Sequence, residues 1–139
     1  MTVLHRATCV AIGGRAVLIE GAPGSGKSSL ALALIDRGAV LIGDDGVTLE
    51  PRGAQLFASP PPHIAGLLEV RNLGLLQFPV ISDVRVALIV VLDQQAPRFI
   101  EVAEPAERAG VMLPLVRLWP SETIPALKAE LALDRYGLA

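Results

Sequence analysis

The chain alternates short apolar runs with polar punctuation from its first residues. Thr8 to Ile12 and Ala16 to Glu20 read as two strands separated by Gly13-Gly14-Arg15, a hairpin signal. The second strand runs into a glycine-rich stretch, GAPGSGKSS, from Gly21 to Ser29. Ser28 to Asp36, SSLALALID, is rich in helix formers and apolar on nearly every face, which predicts a helix buried against a sheet. Arg37-Gly38 ends it, Gly38 being suited to the left-handed residue just past a helix. Ala39 to Ile42 is strand-like again, Asp44-Asp45-Gly46 turns, and Val47 to Glu50 continues extended. Strand, loop, helix and strand make a β-α-β unit. In such units the second strand often lies beside the first, so that its C-terminal end opens on the same crevice.

The second half is less regular. Residues 51 to 80 are rich in turn formers, and Pro60-Pro61-Pro62 rules out regular pairing at that point. Ile64 to Leu76 is apolar but interrupted by Glu69, Arg71, Asn72 and Gly74. Val86 to Leu92, VALIVVL, is the cleanest buried strand and ends at Asp93. Glu104 to Val116 holds two prolines and fits neither period cleanly. A last helix is predicted over Ile124 to Tyr136, with Pro125 in its first turn and Gly137 just beyond its end. Leu127 and Leu131 give it an apolar stripe beside the charged Asp134-Arg135, suited to packing on its own core or on another subunit. The pattern therefore predicts an α/β fold, a sheet with flanking helices around the glycine stretch, in a single domain over residues 1–139.

Composition narrows the setting. A chain of 139 residues with 52% hydrophobic and 19% charged content suits one compact domain with a real core. The net charge of -2 and the lack of any Lys/Arg run argue against broad binding to nucleic acid or anionic membrane. No apolar run approaches the roughly 20 residues that span a bilayer, and His5, Arg6 and Arg15 interrupt the apolar N-terminus, so a cytoplasmic location is expected. The only cysteine, Cys9, has no partner for a disulfide or metal site and reads as a small buried apolar residue.

The chemistry is concentrated in the glycine loop. Gly21-x-x-x-x-Gly26-Lys27-Ser28 is a complete Walker A pattern between a strand and a helix. Glycines let backbone N–H groups turn inward around a polyphosphate, and the helix that follows presents its free N–H groups to the same anion. The residues expected to hold ATP are Gly21, Ala22, Pro23, Gly24, Ser25, Gly26, Lys27, Ser28 and Ser29. Lys27 is the point charge for the β- and γ-phosphates, and Ser28 a ligand for Mg2+. Two strand ends offer an acid: Asp44-Asp45 after VLIG, and Asp93 after VALIVVL. Either is also readable as a turn residue, so these residues alone leave the choice open.

Three blocks together carry a family resemblance. GAPGSGKSSLALALIDRG resembles the loop and helix G-x-S-G-x-G-K-S-E-x-A-L-x-L-I-x-R-G of the bacterial HPr kinase/phosphorylase family, GDDGV at 43 to 47 its paired-aspartate motif, and LLEVRNLGLLQF at 67 to 78 its signature L-E-V-R-G-L-G-I-I-N-V. The chain looks like that family's catalytic domain without the N-terminal domain of the longer members. The resemblance implies an enzyme that transfers the γ-phosphoryl of ATP to a serine of the phosphocarrier protein HPr of the sugar phosphotransferase system. It also implies the reverse step, removal of that phosphate by inorganic phosphate with release of pyrophosphate. Asp44 is then the proton acceptor, and the donor in reverse, with Asp45 supporting Mg2+ and geometry and Glu69 a second acidic member of the metal site. His5 stands near the position of a family histidine, close to the phosphates. The resemblance further implies a homo-oligomer, the longer members being hexamers in which the C-terminal helix of one subunit lies near its neighbour's active site.

This sequence departs from the family at several places. Asn72 stands for the glycine of R-G-L-G, Leu76-Gln77-Phe78 for I-N-V, and Ser29 for the glutamate after G-K-S. The segment after Asp93 is short, leaving Arg98 and Arg117 as candidates for the family's loop arginine. A small-molecule or nucleotide kinase would use the same loop but needs a lid and a substrate pocket, for which the chain is short. A non-catalytic ATP-binding module could dispense with Asp44. A GTPase would need a guanine-reading N-K-x-D motif, which is absent.

Overall fold

Two-residue turns set the topology early. The structure, a computed structural model, describes residues 1–120 and 125–139; the expected helix start at Ile124 lies outside the described residues. After β1 (Val3–His5), β2 (Thr8–Ile12) and β3 (Arg15–Gly21) form an antiparallel hairpin closed by Gly13-Gly14, with Ile12 opposite Arg15. The glycine loop leads into α1 (Lys27–Asp36), followed by β4 (Val40–Gly43), β5 (Val47–Arg52) and β6 (Gln55–Ser59). Next come the hairpin β7 (Leu67–Val70) and β8 (Gly74–Gln77), the long strand β9 (Val84–Leu92), the hairpin β10 (Glu104–Arg108) and β11 (Val111–Leu118), and α2 (Pro125–Tyr136).

The main sheet runs β1-β5-β6-β9-β3-β2-β4, with β11 also on β9. One expectation is corrected here: β4 does not lie beside β3. The tight hairpin commits β2 to that edge first, and β2 is antiparallel to both neighbours. β4 therefore still runs parallel to β3, and the ends of both strands open toward the glycine loop. β9 is the hub. It pairs with β3 in parallel from Ala16–Val86 to Gly21–Leu92, while its other edge is shared by β6 at Val84 and Arg85 and by β11 from Ile89 to Leu92. Two strands dividing one edge split and curl the sheet.

The curl gives each face its own core. Val17, Ile19, Leu88 and Val90 face the two helices, meeting Leu30, Ala31 and Leu34 of α1 and Ala126, Ala129, Ala132 and Leu133 of α2. Ala16, Leu18 and Ile89 point the other way, to Ile42, Leu49 and Leu113. The period-2 alternation of β3 is thus buried on both sides, as its run of apolar residues requires. Cys9 is fully buried, and burial pushes its thiol well above the ordinary range, leaving an inert apolar group. The leucine stripe expected of α2 faces outward: Leu127 and Leu131 are 37% and 57% exposed. The inward stripe is Ala126, Ala129, Ala132 and Leu133, and the small alanine side chains let the helix lie close to β9 and β11.

The irregular second half contains strands that composition concealed. β6, β7 and β8 all fall within 51 to 80, and the proline-containing Glu104 to Val116 is the β10–β11 hairpin. Pro105 and Pro114 face each other across that hairpin. Counted back from the Ala109-Gly110 turn they occupy a non-hydrogen-bonded pair, where a missing N–H leaves the ladder intact. Among the described residues, no helix is long and apolar enough to cross a membrane.

Candidate active site

The glycine loop spans the end of β3 and the start of α1. Close packing forces a glycine at 21: a β-carbon there would lie 2.6 Å from Ser25 Oγ and 3.0 Å from the Leu92 carbonyl. Gly26 caps α1 with no side-chain hydrogen bond, and the first turn carries no acidic residue. The N–H groups of that turn therefore remain available to an anion, at the positive end of the helix. Lys27 Nζ donates to the Gly21 carbonyl at 2.9 Å, which holds its ammonium against the loop. Ser25 Oγ is buried inside the loop without a hydrogen-bond partner among the described residues.

The acid arrives on β4. Gly43 is forced by the turn that follows it, since a β-carbon would lie 2.1 Å from the Gly46 carbonyl oxygen. Asp45 takes a left-handed backbone, φ 58°, and the reversal directs Asp44 toward the loop. Its carboxylate is gripped from three elements. Ser28 Oγ donates to Oδ1 at 2.7 Å, Thr8 Oγ1 donates to the same oxygen at 3.1 Å, and the Glu69 N–H donates to Oδ2 at 3.1 Å. Thr8 is fully buried, and its hydroxyl also accepts from the Asp45 N–H at 3.4 Å. The groups surround a cavity of about 260 Å³ lined by Lys27, Ser28, Asp44, Asp45, Glu69 and Arg71.

The sequence-predicted residues divide accordingly. The loop, Asp44, Asp45 and Glu69 converge on one cavity, with Asp45 and Glu69 at its exposed rim. Asp93 is elsewhere: it accepts from Arg117 Nη1 at 3.0 Å and from the Gln95 N–H at 2.8 Å, on the opposite side of the glycine loop. Arg117 also donates from Nε to Glu104 at 2.7 Å, while Arg98 lines a separate groove under α2. Neither arginine lines the cavity beside the glycine loop; Arg71 does. His5 is turned away from it and donates to Glu20 at 2.8 Å. Thr8 and Arg71 are the site residues that sequence reasoning missed. A lone hydroxyl opening the buried strand TCVAI, and a cation two residues from Glu69, were the available signals.

Hard oxygen donors fit a magnesium ion bound partly through nucleotide phosphates, which needs only one or two carboxylates from the protein. Ser28 and Asp44 touch, and Asp45 and Glu69 stand on the same cavity. Among the described residues, no cluster of three or more His, Cys, Asp or Glu side chains forms a cage.

Known proteins resemble this chain in sequence and in fold. The chain is 37% identical over 92 residues to the HPr kinase/phosphorylase of Clostridium acetobutylicum, covering 61% of this chain and 30% of that protein. It is 38% identical over 96 residues to the HPr kinase/phosphorylase of Lacticaseibacillus casei, 63% of this chain and 30% of the relative. The matched region thus spans about a third of the length of these relatives. The solved structure of the HPr(Ser) kinase/phosphatase from Coxiella burnetii superposes with a TM-score of 0.82 at 26% identity, over 95% of this chain and 89% of that one. The family model for the HPr serine kinase C-terminal domain matches residues 1–96. With more than half of its residues matched by that family model and its fold shared with a solved member, the chain belongs to the HPr serine kinase C-terminal domain family.

Proposed function

We propose that the chain is the catalytic domain of an ATP-dependent protein-serine kinase acting on HPr, able also to run phosphorolysis. The observation that carries this reading is the 2.7 Å hydrogen bond from Ser28 Oγ to Asp44 on the phosphate cavity. That contact sets the Asp44 carboxylate beside the residue that ends the glycine loop, which supports an acid-base role for it. In the forward direction the acceptor serine oxygen bonds to the γ-phosphorus as the bridging oxygen of ADP leaves, and the serine proton passes to Asp44. In reverse, inorganic phosphate attacks the phosphoserine, pyrophosphate departs, and Asp44 returns the proton to the serine oxygen.

Positioning supplies most of the catalysis in such transfers, because a loose transition state asks little of the base until late. Three donors from three elements hold Asp44 in one orientation. Lys27 and the free N–H groups of α1 bind the phosphates. Ser28, Asp45 and Glu69 would hold Mg2+, which neutralises phosphate charge when bound. Arg71 is the cation on the cavity wall nearest the role expected of Arg98 or Arg117. The exposed Leu127 and Leu131 of α2 support assembly into a homo-oligomer, which light scattering would read directly. Incubation with Mg-ATP and HPr should produce a single added phosphate on HPr by mass spectrometry. Phosphorylation of a small metabolite with HPr left untouched would overturn the reading.

A further inference from the structure

A charged group outside the phosphate cavity sits directly behind the glycine loop. Glu20 is the last residue before Gly21, and the alternation of β3 turns its side chain to the face away from α1. There it is 16% exposed and fully engaged. Arg108, at the tip of the β10–β11 hairpin, donates from Nε at 2.9 Å and Nη2 at 2.7 Å in a bidentate fork, and His5 at the end of β1 donates at 2.8 Å. Burial alone would raise the Glu20 carboxyl. Hydrogen bonds from Arg108 and then His5, with their charges, outweigh it and hold the group at about 2.

We propose that Glu20 is a positioning residue for the glycine loop, locked by Arg108 and His5 so that the Gly21 carbonyl stands where Lys27 meets it. The chain of contacts is continuous: hairpin tip and first strand to the Glu20 side chain, then one peptide unit to Gly21, whose carbonyl accepts from Lys27 Nζ. The inference rests on the nucleotide-binding reading of that loop. It assigns the β10–β11 hairpin, which lines no part of the phosphate cavity, a function in holding the cavity's shape.

The pairing also matters for charge. Glu20 brings an anion next to a site for a polyanion, and the guanidinium neutralises it. Removing Arg108 alone takes away both bonds of the fork and leaves His5 as the remaining partner of a half-buried carboxylate, which must seek water for its other oxygen and draws the end of β3 with it. Removing both charges leaves two neutral groups that still fit. The effects are therefore strongly non-additive, as expected of residues that act through one contact.

Calorimetry with Mg-ATP on the full chain tests this. Arg108→Gln should weaken binding about fivefold to tenfold, and adding Glu20→Gln should restore it to within about twofold of the unaltered protein. With HPr as acceptor, the loss should appear in the KM for ATP rather than in kcat. Hydrogen exchange on the nucleotide-free protein gives a second readout: the 21–28 amides should exchange faster in Arg108→Gln and recover in the double variant. Should Arg108→Gln not fold, Arg108→Lys, which keeps charge but loses the fork, is read in its place. Losses that add in the double variant, or loop amides unchanged in every variant, would overturn the proposal. Failure of the unaltered protein to bind Mg-ATP would instead defeat the nucleotide reading, with hydrogen exchange still deciding on Glu20.

Discussion

Asp44 and Asp93 end two buried strands that look alike in one dimension, VLIG and VALIVVL. In space their neighbours separate them. Asp44 accepts from the loop serine, a buried threonine and a backbone N–H on the cavity beside the glycine loop. Asp93 is occupied by Arg117 and by the turn that follows it, and its own N–H donates to the Leu118 carbonyl, joining β9 to β11. A carboxylate at a strand end thus takes its role from the elements packed against that end. β4 opens between β2 and the start of α1, where donors await an acid, whereas β9 opens beside β11, where a guanidinium already holds one.

The sharpest way to break this comparison is to neutralise each acid in turn. Asp44→Asn should lower phosphoryl transfer in both directions by roughly 10²- to 10⁴-fold, the range for lost general acid-base catalysis, while Mg-ATP still binds. Asp93→Asn should change transfer less than about fivefold, because its function is to hold Arg117. A steady-state comparison in which Asp93 proves the crippled position would reverse the assignment. Lys27→Ala comes next in size. Charge-assisted contacts of this kind contribute roughly 1.5 to 3 kcal/mol each, so affinity for Mg-ATP should fall at least about tenfold. Unchanged calorimetric affinity in the folded variant would refute the loop's role.

Acid titration tests the Glu20 pairing behind the loop. The Glu20 carboxyl is held at about 2 against an ordinary 4.5. Its stabilising contribution is therefore complete above about pH 4.5 and is lost as pH falls toward 2. After allowance for solvent screening it is on the order of 2 kcal/mol. Urea unfolding at pH 5 and pH 3 should show this loss in the unaltered protein and a smaller one in Glu20→Gln. The smallest expected effect is that of Thr8→Val, which keeps shape but removes one donor from Asp44. It should cost about 0.5 to 1.5 kcal/mol in stability and lower transfer severalfold without altering Mg-ATP affinity.

Much of this was legible because it is local. The glycine loop, the α1 helix, the Gly13-Gly14 hairpin, the Val86 to Leu92 run and the C-terminal helix each follow from backbone freedom or apolar periodicity within a dozen residues. The resemblance of three motif blocks separated Asp44 from Asp93, which periodicity could not. β7, β8, β10 and β11 were hidden because glycines, prolines and charges in hairpins resemble loops until a partner strand supplies the ladder. The sequence left open whether the leucine stripe of α2 packs on its own core or on another subunit, because a helical stripe is defined by the surface that meets it; within the chain, β9 and β11 meet the alanines and Leu133.

What the sequence by itself determined is the glycine loop with its lysine and the helix that follows, since glycine geometry, a lysine and a helix start need no distant partner. Only the tertiary structure decided which neighbours those groups keep. Thr8, 36 residues from Asp44, becomes its donor because β2 is inserted beside β4. Arg108, 88 residues from Glu20, reaches it because the curl of the sheet brings a hairpin tip behind the loop. A hydrogen bond requires approach within about 3 Å, and for residues so far apart along the chain that approach is set by the order and curvature of the sheet.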